Sequence, residues 1–308
     1  MRYGPRVPHS PAPAAPPVLD DAAVDAVLDW YRAEARDLPW RHEDASAWGI
    51  LVSEVMLQQT PVVRVLPRWL AWMEAWPTPA DLADAPIAEV LRAWDRLGYP
   101  RRALRLQECA RAIVARHGGE VPCGEDALRA LPGIGEYTAA AVTAFAHHGR
   151  AVVADTNIRR VLARAALGTA LPAPSYTAAE RAVVTASVPG DTVRSVRWNQ
   201  AVMELGALVC TARSPRCAVC PLASGHCAWV AAGSPAAPAD APRRVQRFEG
   251  TDRQLRGQIM ALLREHGRAD AAAIAALDTE DPERVARCRA SLLADGLVAA
   301  DGEALRLP

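Results

Sequence analysis

Cys210, Cys217, Cys220 and Cys227 fall within eighteen residues, directly behind an apolar stretch of helical spacing, and this spacing constrains the chain more than any other feature. The gaps between them are six, two and six residues. Pro215 and Pro221 set turns on either side of the close pair, Cys217 and Cys220, so the backbone folds back on itself instead of continuing a helix. Thiolates drawn together on one turn-rich loop suit a metal centre. Structural zinc sites often hold two close pairs, whereas one close pair flanked by two single cysteines favours an iron-sulfur cluster. A disulfide pair is the other reading, and it suits secreted chains. Cys109, Cys123 and Cys288 lie in or beside helical patterns and read as core or free thiols.

All 35 basic residues are arginine, matched by 35 acids, so the 308-residue chain carries no net charge and no lysine. A side-chain Schiff base is therefore excluded. Affinity for a polyanion would need charge segregation instead of an excess. Between Leu91 and Glu120 the chain carries Arg92, Arg96, Arg101, Arg102, Arg105, Arg111 and Arg116 against Asp95, Glu108 and Glu120, which reads as a phosphate-facing surface or a solvated helix face. No apolar run approaches the ~18 residues of a membrane span. Residues 1–19 alternate Pro and Ala without an apolar core, and read as a disordered tail of an intracellular protein instead of a signal peptide.

From Asp20 onward one amphipathic helix follows another, starting with Val24, Val27, Leu28 and Tyr31 behind an aspartate cap, and strand-like alternation is almost absent. A helix is expected over Leu51 to Thr60, with Thr60 and Pro61 as cap and first residue of the next. Glu54 and Gln58 then share one face on consecutive turns. The segment Leu131-Pro132-Gly133-Ile134-Gly135, followed by an Ala-rich helix from Tyr137, reads as a helix-hairpin-helix. Its glycines let the backbone approach a partner closely, and the second helix aims its first amides outward, which suits a phosphate. Asp155 stands before Asn157, Ile158 and Val161 as a helix cap. Trp198, Val202, Leu205 and Val209 carry a packed helix into Cys210. An Ala/Pro-rich linker is expected at 231–242, and residues 243–308 look like a small separate domain of three helices and a hairpin through Asp301-Gly302. Its eleven arginines are balanced by eleven acids, so strong DNA binding by it is not indicated.

In this order, the hairpin, the downstream Asp155 and the four-cysteine loop resemble the helix-hairpin-helix DNA glycosylases that carry a 4Fe-4S cluster. With Ser53-Glu54-Val55-Met56-Leu57-Gln58-Gln59-Thr60, Leu97-Gly98-Tyr99 and Leu38-Pro39-Trp40, residues 20–230 look like adenine DNA glycosylases of the MutY type. The resemblance implies an all-α, helix-hairpin-helix glycosylase fold with a cluster loop at 210–227, followed by a small winged-helix-like domain at 243–308.

The implied chemistry is hydrolysis of adenine from double-stranded DNA where it is paired with 8-oxoguanine or guanine, in base excision repair. Glu54 resembles the general acid that protonates the leaving purine. Asp155 resembles the carboxylate that stabilises the cationic sugar or traps it covalently, and Asn157 the residue that helps orient water. Where endonuclease III-like enzymes carry a Schiff-base lysine, two residues past Gly135, this chain has Tyr137, which implies a monofunctional enzyme. Gln59 and Tyr99 resemble residues that fill the stack when the base is flipped out, while Leu38, Trp40 and Gln200 match positions lining an adenine pocket. Gln58, Gly133 and Gly135 complete the DNA-facing set. The family's last cysteine gap is commonly five residues and is six here, and the tail does not resemble the pyrophosphohydrolase-like domain common in the family. The implied enzyme is a monomer of the bacterial cytoplasm, associated with the nucleoid. The competing readings are a T:G mismatch thymine glycosylase and a non-catalytic damage-sensing protein.

Overall fold

The computed structural model describes residues 18–237 and 248–308. Most of the expected N-terminal tail (1–17) and part of the expected linker (238–242) lie outside the described residues. The chain is predominantly helical, as the amphipathic spacing implied. In order it forms α1 (Asp21–Glu34), α2 (Ala47–Met56), α3 (Val62–Ala75), α4 (Pro79–Asp84), α5 (Ile87–Trp94), α6 (Arg101–His117), α7 (Glu125–Arg129), α8 (Glu136–Phe145), α9 (Thr156–Ala165), α10 (Ala178–Ser187), α11 (Thr192–Leu208) and α12 (Ala228–Ala231). Then come α13 (Asp252–His266), β1 (Arg268–Ala269), α14 (Ala271–Ala275), α15 (Pro282–Ala294), β2 (Ala299–Asp301) and β3 (Ala304–Arg306). Among the described residues, no helix is long and apolar enough to cross a membrane.

Helix starts follow the capping residues. Asp20, Ser46, Thr78, Asp155, Thr177, Asp191, Thr251 and Asp281 each accept a first-turn backbone N–H through the side chain. The helix expected over Leu51 to Thr60 instead runs from Ala47 to Met56, because Ser46 caps it earlier and the chain turns after Leu57. Pro61, not Thr60, is the N-cap of α3. Thr60 is buried, and its hydroxyl is spent on the carbonyls of Gln58 and Leu97.

The described residues fall into two compact units, each made of two stretches of chain: 18–35 with 154–237, and 36–153 with 248–308. This contact-based division cuts the chain elsewhere than the composition shift at 231–242 does. In the first unit, α1 and α9 pack on α11. Val24 and Val27 are buried there, as are Ile158, Val161, Trp198, Val202 and Leu205.

In the second unit a single apolar core runs from Leu38 to Val142 and on through Leu255, Ile259, Leu292 and Leu305. Tryptophans dominate its centre: Trp72 lies edge-on to Trp76 and Trp94, with ring centroids 4.9 and 5.5 Å apart. The indole nitrogens of Trp48 and Trp69 donate to the carbonyls of Trp76 and Gly49, so burial leaves neither unpaired. At its C-terminal end, β1, β3 and β2 form an antiparallel sheet in that order, and the hairpin turns through Gly302 as expected, pairing Asp301 with Ala304.

Candidate active site

In the second unit the site is built where α2 packs on α8. Nearly every residue of α2 is buried, Glu54 included, at 5% exposure. A carboxyl group removed from water needs a donor. The Tyr137 hydroxyl of α8 supplies one, donating to Glu54 Oε2 at 2.8 Å. Just past the end of α2, Gln58 Nε2 donates to Thr138 Oγ1 at 3.3 Å, so a second pair ties this segment to α8. Thr138 was not singled out in the sequence; its neighbour Tyr137 was the only signal.

The hairpin from α7 to α8 contains two glycines that answer to different demands. Gly133 has φ +78, and a Cβ there would sit 3.0 Å from Cβ of Arg105, so the protein's own packing requires glycine. Gly135 has an ordinary φ of -95, and a Cβ there would meet nothing within 4 Å. The bare backbone at Gly135 leaves room for something outside the chain. It is the N-cap of α8 and supplies no side chain to the first amides of that helix, and Glu136 beside it is exposed.

Gln59 and Tyr99 are exposed, and both hold a left-handed backbone, with φ of 56° and 49°. They border a cleft of about 810 Å³, walled on the other side by Phe248, Arg253 and Arg256. Arg253 of α13 lies 4.6 Å from the Tyr99 ring centroid. The C-terminal segment therefore reaches one of the DNA-facing candidates, which its balanced charge gave no reason to expect. Leu38 and Trp40 are buried in the core, Trp40 edge-on to Trp69 at 5.5 Å. The arginine-rich stretch is not a uniform phosphate-facing surface. Arg102 and Arg111 donate to backbone carbonyls, and Arg101 and Arg105 pair with Asp295 and Glu108.

In the first unit Asp155 caps α9. Its Oδ1 accepts the Ile158 N–H and its Oδ2 accepts Asn157 Nδ2, both at 2.6 Å. Desolvation by the surrounding chain raises its pKa, opposed by these hydrogen bonds and by the Arg160 charge. Asn157 is fixed in turn by Arg160 Nη2, which donates to its Oδ1 at 2.8 Å. Gly206 of α11 lets α9 approach: a Cβ there would fall 2.7 Å from that of Asn157. Gln200 lies partly buried on α11.

Two arginines that no sequence motif marks connect α9 to the cysteine loop. Arg160 donates to the carbonyls of Gly206 and Cys210 at 2.6 and 2.7 Å. Arg164 is 3% exposed, donates to Cys210 Sγ and the Thr211 carbonyl, and stacks over Trp229. Cys210, Cys217, Cys220 and Cys227 line one small cavity, and none of them is in a disulfide. Burial pushes the Cys220 thiol up to about 11, and the other three cysteines add to the shift, so the sulfurs sense one another's charge. A cationic centre would relieve that repulsion. Among the described residues, no three potential ligands close up around a single ion. Four thiols around one small cavity, none of them in a disulfide, suit an iron-sulfur cluster.

The comparisons with known proteins agree with this layout. Residues 52–186 match the HhH-GPD superfamily of base excision DNA repair proteins, and residues 210–227 match the iron-sulfur binding domain of endonuclease III. An adenine DNA glycosylase of Mycolicibacterium smegmatis is 52% identical over 279 residues, covering 90% of this chain and 93% of that one. One from Mycobacterium tuberculosis H37Rv is 46% identical over 299 residues, covering 96% and 95%. The solved structure of a thermostable thymine-DNA glycosylase aligns with a TM-score of 0.59 at 30% identity, covering 68% of this chain and 95% of that one. With the hairpin, the cysteine loop and near full-length identity in agreement, the chain belongs to the adenine DNA glycosylases of the helix-hairpin-helix base excision repair superfamily and carries their 4Fe-4S binding domain.

Proposed function

We propose that the protein flips adenine out of A:8-oxoguanine or A:G mispairs in double-stranded DNA and hydrolyses its N-glycosidic bond without cleaving the strand. The observation that carries this reading is the buried Glu54 carboxyl held by the Tyr137 hydroxyl at 2.8 Å. Placed there, Glu54 acts as the general acid that delivers a proton to the ring nitrogen of the purine. As the C1′–N9 bond breaks, its electron pair leaves with the protonated adenine. Asp155 stabilises the positive charge left on the sugar, Asn157 and Gln200 orient water and base, and water adds at C1′ with loss of its proton.

Tyr137 occupies the position at which a lysine would form a Schiff base, and the chain contains no lysine. Strand cleavage through a side-chain amine is thereby removed. Gln59 and Tyr99 enter the space vacated by the flipped base, Leu38 and Trp40 shape the adenine pocket beneath it, and the bare backbone at Gly135 receives a phosphate. Cys210, Cys217, Cys220 and Cys227 hold the 4Fe-4S cluster, which cross-links the loop between α11 and α12. Residues 248–308 run helix, strand, two helices and two strands, an order that supports a winged-helix-like reading of the C-terminal segment. The enzyme acts as a monomer in the bacterial cytoplasm, at the nucleoid.

The likeness to a thymine-DNA glycosylase keeps T:G excision as the second reading. Incubation with A:8-oxoguanine, A:G and T:G duplexes followed by hot alkali decides between them. Breaks at adenine only, with no borohydride-trapped adduct beyond that of the N-terminal amine, are the expected result. Breaks at thymine, or a strong trapped adduct, overturn it.

A further inference from the structure

Arg102, on the first turn of α6, has its guanidinium half-buried between two turns of chain. Its Nη1 donates to the carbonyls of Val55, Met56 and Gln58 at 2.9, 3.2 and 2.6 Å. Its Nη2 donates to the carbonyls of Leu97 and Gly98 at 3.3 and 3.1 Å and to Thr60 Oγ1 at 3.1 Å. The guanidinium lies 5.1 Å from the Trp94 ring centroid and 5.6 Å from that of Tyr99. Burial pulls its pKa down to about 10, so it remains charged at neutral pH. Two of these carbonyls stand out. The Gln58 and Gly98 carbonyls belong to the peptide bonds that lead into Gln59 and Tyr99, two non-glycine residues with left-handed backbones.

We propose that Arg102 is a positioning residue for mispair recognition: one planar guanidinium holds the two peptide planes from which Gln59 and Tyr99 project, so that both side chains enter the duplex as a pair. Left-handed conformations at non-glycine residues persist only where surrounding contacts impose them. Here the same fork imposes both, and the Thr60 hydroxyl, bridging the Gln58 and Leu97 carbonyls, is a second clip across the same gap. A lysine could not replace it, because a compact ammonium with three donors does not span both turns as a planar fork does. The inference rests on the reading of the chain as an adenine glycosylase that wedges Gln59 and Tyr99 into DNA, and it assigns the arrangement of that wedge to an arginine that touches no DNA.

The test uses full-length, cluster-loaded protein carrying Arg102→Lys, Arg102→Met or Thr60→Val, each checked for cluster absorbance and thermal midpoint. Duplexes with 2-aminopurine beside the mispaired adenine report local unstacking, and single-turnover excision gives the half-saturating enzyme concentration and the maximal rate. Arg102→Lys is expected to raise half-saturation on the mispaired duplex by about tenfold and to flatten the fluorescence rise, with affinity for a fully paired duplex nearly unchanged. Adding Gln59→Ala to Arg102→Lys is expected to cost less than it does in the wild type, since the pair is already misaligned. A folded Arg102→Lys with wild-type half-saturation and fluorescence overturns the proposal. So does equal weakening on paired and mispaired duplexes, which is how a phosphate-binding arginine behaves. If Arg102→Met does not fold, Arg102→Lys and Thr60→Val decide by the same readouts. A wild type that excises no adenine from these duplexes overturns the glycosylase reading, and this inference with it.

Discussion

Glu54 and Asp155 carry the same functional group in opposite settings. Glu54 sits in the body of a buried helix, and its hydrogen bond comes from Tyr137, 83 residues along the chain. Asp155 sits at the start of a helix and is held by Ile158 and Asn157, within three residues of itself. Asp155 accepts converging donors at a helix N-terminus, which favours its anion. Burial still pulls Asp155 the other way and leaves its pKa raised. The contrast teaches that one residue class can be held by the local backbone at one position and by tertiary packing at another.

The strongest test of this contrast is to remove the proton from one side. Glu54→Gln keeps the shape and the hydrogen bond to Tyr137 but cannot donate, so single-turnover adenine release should fall ~10²–10⁴-fold while mispaired DNA still binds. A loss below tenfold would place the proton source elsewhere.

Cluster removal should act on the other side. Cys217→Ser is expected to lose bound iron and sulfide, and with the loop slack the arginines Arg160 and Arg164 lose their anchor at Cys210. Hydrogen exchange should then quicken at the first turn of α9 by about tenfold or more, and far less along α2. Equal loosening of both helices would erase the distinction between the two settings.

The pH dependence of the single-turnover rate follows from the raised pKa of Asp155. A raised carboxyl takes up its proton at a higher pH than free aspartate does, and only the ionised form opposes a cationic sugar. The rate should therefore fall as pH is lowered, through a pH higher than that at which a free aspartate takes up its proton. In Asp155→Asn the residual rate should lose this acid limb, and its persistence would assign the titration to another group.

The hairpin glycines offer the smallest and most selective contrast. Gly133→Ala should cost ~1–3 kcal/mol in unfolding free energy, given its positive φ and the contact with Arg105. Gly135→Ala should cost less, about 0.5–1 kcal/mol, the loss of a favoured N-cap residue. It should nevertheless weaken binding to paired and mispaired duplexes alike, as a phosphate contact does. Intact binding in Gly135→Ala would leave that glycine without a partner to accommodate.

What could be read from the sequence was local. The helical class, the capping aspartates, the hairpin glycines and the close-set cysteines all express interactions spanning a few residues, and their spacing survives translation into structure. The cysteine loop and hairpin were legible for that reason, and so was Asp155 as a cap. Arg102 was not: read as part of a basic run, it lies inward, because its partners at Val55, Met56 and Gln58 are 44 to 47 residues away and no periodicity announces them. Arg160, Arg164 and Gly206 escaped notice likewise, each defined by what another helix brings against it. The sequence by itself determined which groups are present and which helix ends they mark. Only the tertiary structure decided that Glu54 is buried, that Tyr137 is its donor and that one guanidinium joins the Gln59 and Tyr99 turns, because desolvation and hydrogen bonding between distant segments exist only once the helices are packed.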